Sequence, residues 1–478
     1  MARRKKAPIE VELEIESWTK EGFGQGTYKN THGDSYSVDV PHTIPGEKVL
    51  ALLMSKRRGK YSSILKEVIK ASPDRIEPKC AHFGSCGGCR WQHLPYSKQL
   101  ERKADFVQRE FAPLLENTSV EIEPIIPCET PWKYRNKMEF SFSENGKQTK
   151  FLGLMMAGGG GKVFNLTECH LVNPWFAETV IAVKKWWEES KISAYHFRKD
   201  EGSLRVLTVR EGKRSGDRLV MLTVSGNPDY ALSKDSLDSF VACLREALEK
   251  EPSPPKLSIF VRIHQIKKGQ PTKFYEWKLY GPEFLRETLS MDEASLQFNV
   301  SPTSFFQPNT DQAENFYALA LKMAGLSEDT TVFDLYCGTG TLGMLASGKA
   351  KRVLGIELSP ESSLDARENV KDNHINNMEV ITGDVGKTLT LLRAEEGFET
   401  PQLVVVDPPR VGLDEEALKN ILDLSPDKIL YISCNPATQA ENIKVLTEEK
   451  YSLVAVRPVD QFPHTVHVEN IAVLERNK

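Results

Sequence analysis

Phe333-Asp-Leu-Tyr-Cys-Gly-Thr-Gly-Thr341 decides the fold. It leads an apolar, β-branched run into a glycine-bearing turn and then into a helical pattern. That is how a parallel strand hands over to a helix whose N-terminus faces a ligand. Gly338 and Gly340 let the backbone close around such a ligand. The third glycine of the dinucleotide spacing is missing, and an adenosyl group without a pyrophosphate has no need of it.

Working outward, strands are expected at 331–335, 352–357, 378–382, 402–406 and 428–432, each apolar enough for burial on both faces. Helical patterns separate them, which predicts a doubly wound parallel sheet, a Rossmann-like α/β fold. Residues 466–474 give a late strand, expected at the antiparallel edge. Carboxylates close successive strands. Glu357, nineteen residues after Gly338, is placed to take both ribose hydroxyls, and Asp384 to meet an adenine amino group. Asp407 opens Asp407-Pro-Pro-Arg410, on the loop that would lie beside the donor methyl.

Cys434, in Tyr431-Ile-Ser-Cys-Asn-Pro436, ends the fifth strand where a helix should begin, and a helix N-terminus favours a thiolate. A thiolate with an adenosyl methyl donor points to attack on a pyrimidine carbon. Uracil C5 is a poor nucleophile until a thiolate adds at C6; C5 can then take a methyl group, after which a base must remove its proton. Glu469, in His467-Val-Glu469, is the candidate base, with His467 as its orienter on the same strand face. Cys337, inside the glycine loop, reads as a small packing residue, and Cys128 and Cys243 read as structural.

Cys80-x5-Cys86-x2-Cys89 supplies three soft ligands in a glycine-rich loop, with Cys169, in Glu168-Cys-His-Leu171, as the candidate fourth. This pattern implies a structural metal, and the spacing fits zinc and a four-iron cluster alike. Three of the eight cysteines lie within ten residues, which suits a reducing, cytoplasmic compartment and not disulfides. Ala157-Gly-Gly-Gly-Gly-Lys162 lacks the Ser or Thr of a phosphate loop and is read as a hairpin turn.

At 478 residues the chain is too long for one core. No apolar run approaches the roughly 18 residues that span a bilayer, and the opening Met-Ala-Arg-Arg-Lys-Lys has no apolar stretch behind it, so neither a membrane protein nor a secretory signal is expected. Residues 1–110 hold 20 Lys and Arg against 14 Asp and Glu, although the whole chain stands at −4. A basic front end, with Lys56-Arg57-Arg58-Gly-Lys60 as its densest cluster, suits contact with phosphate. Alternating runs at 11–15, 35–40, 48–54 and 62–68, with a turn read at 22–26, predict a small closed barrel of about five strands. Residues 96–110 read as a helix, and 120–298 mix strands and helices around a break at Glu251-Pro-Ser-Pro-Pro255.

Together these residues resemble the RNA uracil-C5 methyltransferase family, in its 23S ribosomal RNA branch. The resemblance rests on Pro78-Lys-Cys80 through Cys89, Gln92-His93, Tyr134-Arg-Asn-Lys137, Phe305-Phe-Gln-Pro-Asn309, the glycine loop, Asp407-Pro-Pro-Arg410, Ser433-Cys-Asn-Pro436 and Phe462-Pro-x-Thr-x-His-Val-Glu469. It implies a TRAM domain, an OB-like RNA-binding barrel, at 1–71. It further implies an α+β central RNA-binding domain at 72–298 and a class I methyltransferase domain at 299–478. Gln307, Tyr336, Thr341, Glu357, Asp384 and Asp407 would contact S-adenosylmethionine. Cys434 would be the nucleophile and Glu469 the proton acceptor. Cys80, Cys86, Cys89 and Cys169 would hold a [4Fe-4S] cluster, and the chain would act on RNA as a monomer. Thr341 stands where many members carry Asn, and Asp384 where some do.

Four rivals are weaker. Adenine-N6 methylation shares Asp-Pro-Pro but follows it with an aromatic residue, where Arg410 stands, and has no use for Cys434. Cytosine-C5 RNA enzymes carry a further cysteine near the fourth strand, and Pro408-Pro409 offers none. A radical enzyme needs Cys-x3-Cys-x2-Cys. A non-catalytic RNA-binding factor would not need the nucleophile, base and donor positions all filled. A tRNA target is the alternative to 23S rRNA.

Overall fold

The computed structural model describes residues 9–116, 118–250, 252–266, 269–291 and 294–477. Arg3 to Lys6 and Glu251 of the Pro/Ser-rich break lie outside them.

Strands β1 (Ile9–Trp18), β2 (Gly24–Lys29), β3 (Ser35–Val40), β4 (Lys48–Arg57) and β5 (Lys60–Lys70) close a barrel in the order β1-β2-β3-β5-β4. Alternation drives it: Val11, Leu13, Ile15, Val38, Val40, Val49, Ala51 and Leu53 point inward and form one core. The expected turn at 22–26 extends only to the start of β2. A Cβ on Gly26 would come within 2.4 Å of the Glu14 carbonyl oxygen, so this glycine serves close strand approach inside the barrel wall.

After helix α1 (Tyr96–Leu115), a six-stranded sheet is built from β6 (Lys137–Glu144), β7 (Lys150–Gly153), β8 (Leu204–Glu211), β9 (Arg218–Ser225), β10 (Leu257–Gln265) and β11 (Lys273–Tyr280). Its order is β11-β10-β9-β8-β6-β7. Helices α2 (Pro174–Glu189) and α3 (Lys234–Leu248) cover one face around Phe176, Trp187, Phe240 and Leu244. The segment from Ala157 to Lys162 turns the chain back as read from sequence: Met156 N–H donates to Lys162 O at 2.8 Å.

A hairpin, β12 (Leu285–Met291) and β13 (Ala294–Val300), leads to α4 (Thr310–Ala324) and the second large sheet. That sheet comprises β14 (Thr331–Leu335), β15 (Arg352–Glu357), β16 (Met378–Thr382), β17 (Leu403–Val406), β18 (Lys428–Ser433), β19 (Tyr451–Val459) and β20 (Glu469–Arg476), in the order β16-β15-β14-β17-β18-β20-β19. The first five strands are parallel, as their two-sided apolar character requires. Helices α5 (Thr341–Ser347), α6 (Pro360–Asp372), α7 (Val385–Arg393), α8 (Glu415–Leu424) and α9 (Pro436–Glu449) connect them.

Two arrangements differ from expectation. The late strand is not the edge: β20 inserts antiparallel between β18 and β19, and the edge is β19. Burial explains the order. β20 is buried from Glu469 through Leu474, whereas β19 alternates and carries Pro458, which an edge tolerates. The division at residue 299 also does not separate two cores. Val107 and Phe111 of α1 pack with Leu335, Val404, Ile443 and Val456 of the second sheet and its helices. Ile122 and Ile126 then bridge in parallel to Val456 and Val459, covering that edge.

Phe111 has no exposed surface. Phe111→Ala should therefore cost about 3–5 kcal/mol, with the loss appearing in the unfolding transition of the methyltransferase layer, as followed by denaturant melts with and without an adenosyl ligand.

Candidate active site

The C-terminal ends of β14 to β18 converge on one cleft, the place where open α/β sheets bind ligands. The loop after β14 is built for close approach. Tyr336, Gly338 and Gly340 have φ of 66°, 56° and 78°, three left-handed residues in five. For Tyr336 that conformation is strained, and strain of this kind persists where the surroundings over-determine it. Gly338 N–H donates to Glu357 Oε2 at 3.0 Å, and Ser359 N–H to Glu357 Oε1 at 2.7 Å. Glu357 thus fixes the glycine loop and the entry to α6, with lone pairs left for ribose hydroxyls. Thr341, at the start of α5, shares a 3.1 Å hydroxyl contact with Thr339. Asp384 caps α7 by accepting from Lys387 N–H at 3.1 Å. Cys337 packs under the loop against Gly355, where a Cβ would meet its sulfur at 2.9 Å.

Asp407 keeps some access to water through the cleft, but the atoms packed around it push its carboxyl up to about 7. Burial also raises Asp334 to about 7, with Asp407 and Glu357 adding repulsion. Gln307 is buried, and its Oε1 accepts from Gln461 Nε2 at 3.3 Å.

Cys434 stands where β18 passes into α9, and Glu469 opens the neighbouring antiparallel strand, with Ser433 paired to Asn470. The ladder therefore brings the candidate nucleophile and the candidate base side by side. Burial and the Asp407 carboxylate raise Glu469 to about 8, partly offset by Arg410. The thiolate-favouring setting expected at Cys434 is absent. Burial, then repulsion from Glu469 and Asp407, push the thiol up to about 11 against the pull of Arg410. The helix N-terminus is present, but desolvation and two carboxylates outweigh it.

His467 also departs from expectation. β20 begins at Glu469, so His467 lies in the preceding irregular segment and not on a shared strand face. No hydrogen bond joins it to Glu469 among the described residues, and burial with four nearby cations lowers it to about 4, leaving it neutral. Tyr317 was missed by sequence reasoning. It is buried on α4, bonded to Gln307 and close enough to Asp407 and Glu469 to feel their charge. A tyrosine on an amphipathic helix reads as core, and nothing in its spacing marks it otherwise.

Cys80, Cys86, Cys89 and Cys169 line one cavity walled by Phe83, Met138, Leu154 and Leu166. Burial raises all four thiols, Cys89 to about 12 and Cys169 to about 11, and charge repulsion among the four adds to the rise at Cys80, Cys89 and Cys169. Among the described residues, no three His, Cys, Asp or Glu side chains draw together as ligands of one metal ion. Four thiols share the cavity with His82, Glu168 and His170, and separated thiols suit a group broad enough to be reached from all four.

The fold, the strand-end carboxylates and the glycine loop define an S-adenosylmethionine-dependent methyltransferase. Residues 262–477 match the model of the tRNA (uracil-5-)-methyltransferase family. An uncharacterized RNA methyltransferase of Protochlamydia amoebophila is 54% identical over 442 residues, spanning 91% of this chain and 99% of the relative. One from Clostridium tetani is 33% identical over 491 residues, spanning 100% and 99%. Among solved structures, the Pyrococcus abyssi tRNA (uracil-54, C5)-methyltransferase in complex with S-adenosyl-L-homocysteine superposes with a TM-score of 0.71, at 26% identity, covering 97% of this chain and 99% of that one. The chain belongs to the RNA uracil-C5 methyltransferase family and is an enzyme of that class. Among the described residues no helix is long and apolar enough to cross a membrane.

Because Glu469 repels a thiolate at Cys434, Glu469→Gln should speed alkylation of Cys434 by iodoacetamide at pH 8, while Arg410→Met should slow it. Mass spectrometry of the Cys434 peptide over time reads both signs.

Proposed function

We propose that this enzyme methylates C5 of a specific uridine in 23S rRNA through a covalent adduct on Cys434. The observation that carries the reading is the adjacency of Cys434 and Glu469 at the ends of neighbouring strands, with Asp407 close enough to raise the Glu469 carboxyl. S-adenosylmethionine, when bound, supplies an electrophilic methyl group. Gln307, Tyr336, Thr341, Glu357, Asp384 and Asp407 are the residues that would hold it.

Cys434 Sγ loses its proton and bonds to uracil C6, with Arg410 favouring the thiolate. The electron pair released toward C5 makes that carbon the methyl acceptor. Glu469, raised to about 8 and so mostly protonated at neutral pH, removes the C5 proton in its ionised form. The C6–S bond then breaks, the thiolate leaves, and the net reaction releases one proton. A uridine reaches this buried pair only if it is flipped out of folded RNA.

The barrel, read as a TRAM module, and Lys56 to Lys60 would hold flanking RNA, with Tyr36 and Tyr61 beside Lys56 offering stacking faces. The four-thiol cavity would hold a [4Fe-4S] cluster, a reading supported by the convergence of four cysteines on one cavity. The enzyme would work as a cytoplasmic monomer. The rRNA target rests on the cysteine segment's resemblance to that branch; a tRNA target is the second reading, favoured by the tRNA enzyme of Pyrococcus abyssi.

RNA containing 5-fluorouridine should trap a denaturation-resistant adduct with wild type and none with Cys434→Ala. Glu469→Gln should accumulate a methylated adduct on ordinary RNA. Wild type without an adduct overturns the reading. Mapping 5-methyluridine in rRNA and tRNA from cells with and without the gene decides the target. Protein purified without oxygen should contain about four irons and four sulfides; zinc in their place would overturn the cluster.

A further inference from the structure

The segment from Asp460 to Val468 joins β19 to β20 without regular structure, yet Asp460, Gln461 and His464 are almost wholly buried. A buried loop must find partners for its polar groups. Here they come from residues far earlier in the chain. Gln99 Oε1 accepts from His464 N–H at 2.8 Å, and its Nε2 lies 3.2 Å from His464 Nδ1. The same Nε2 donates to the carbonyls of Trp91 and Leu94 at 3.0 and 2.9 Å, which locks the amide orientation. Lys103 Nζ donates to Asp460 Oδ1 at 2.6 Å and to Phe462 O at 2.9 Å. Around these, Arg90 and Trp91 N–H groups reach His464 O, Tyr134 OH donates to Pro463 O, and Trp132 stacks on the His464 ring at 3.7 Å.

Neither Gln99 nor Lys103 is a good choice for stability alone. Both are essentially unexposed, and apolar residues of similar volume would avoid the desolvation cost. Polar groups add direction. They fix where each residue of the segment stands, and Glu469 is the first residue after it.

We propose that Gln99 and Lys103 are positioning residues for Glu469, holding the Asp460–Val468 segment so that the carboxylate faces the C5 proton. The inference rests on the reading of Glu469 as the base. Neither side chain touches the cleft; both act through the segment.

Gln99→Leu removes the hydrogen bonds and leaves no charge behind. Lys103→Met combined with Asp460→Leu removes the buried pair as a unit. Each is expected to lower kcat about 10- to 100-fold, the scale of a small misplacement at a reacting centre, with KM for donor and RNA little changed. A methylated, Cys434-linked adduct should also build up on ordinary RNA, because proton removal and not methyl transfer is slowed. A merely structural role would lower melting temperature and donor binding together with activity, and leave no adduct. That pattern, or wild-type turnover in both variants, overturns the proposal. Wild type forming no adduct with 5-fluorouridine RNA overturns the base assignment and the proposal with it, whereas a normal wild-type adduct with unaffected variants overturns the proposal alone.

Discussion

A lysine and an aspartate with no exposed side-chain surface, Lys103 and Asp460, join helix α1 to the segment between β19 and β20. Burial lowers the lysine's hold on its proton, and the aspartate opposes that. Tyr96 OH donates to the second Asp460 oxygen at 2.8 Å, so both carboxylate oxygens are occupied. Such a pair adds little net stability compared with apolar side chains, but separating it leaves a charge stranded in the core. The consequence is register. The pair ties helix α1 to the second sheet at one point, and the barrel and the cysteine segment are tied in beside it, since Trp91 Nε1 donates to Gly22 O and Arg90 N–H to His464 O.

The cleft itself is organised by crowded carboxyl groups. Asp334, Asp407 and Glu469 all have raised proton affinity, because burial removes water, and the Asp407 charge adds to the rise at Asp334 and Glu469. Unfolded, these groups would titrate near their ordinary values, about 4. The folded chain therefore holds their protons more tightly, and their contribution to stability declines as pH rises from about 4 through 7 and 8. This cost falls where chemistry needs a carboxylate able to take a proton near neutrality, which is the usual reason such groups collect at one site.

Much of this was legible in sequence. Two-sided apolar runs placed the five parallel strands nearly to the residue, because a strand buried on both faces leaves little latitude. The strand-end acids followed, since their positions are fixed by chain direction. The order of β19 and β20 was not legible: Tyr451–Val459 alternates and contains Arg457 and Pro458, and its pairing is set by contacts far apart in sequence. Nor was the state of Cys434. Its helix N-terminus can be read locally, but the carboxylates that oppose it arrive from β17 and β20. The membership of α1 was equally hidden, because an amphipathic helix does not say which core it will join.

The six-stranded body is thus an insertion within the methyltransferase layer, entered after residue 126 and left before Asn309. The two crossings lie against each other: Arg135 bridges to Asn309, Asn136 N–H donates to Pro308 O at 2.7 Å, and Asn136 Nδ2 donates to Gln307 O at 2.8 Å. Arg214, between β8 and β9, adds ion pairs to Asp311 and Glu314 of α4, so the body is held beside these crossings as well as at them. The backbone of Gln307 and Pro308 thus accepts from the inserted body while the Gln307 side chain meets Gln461, so one short stretch of chain is shared between the body's attachment and the layer that carries Cys434 and Glu469.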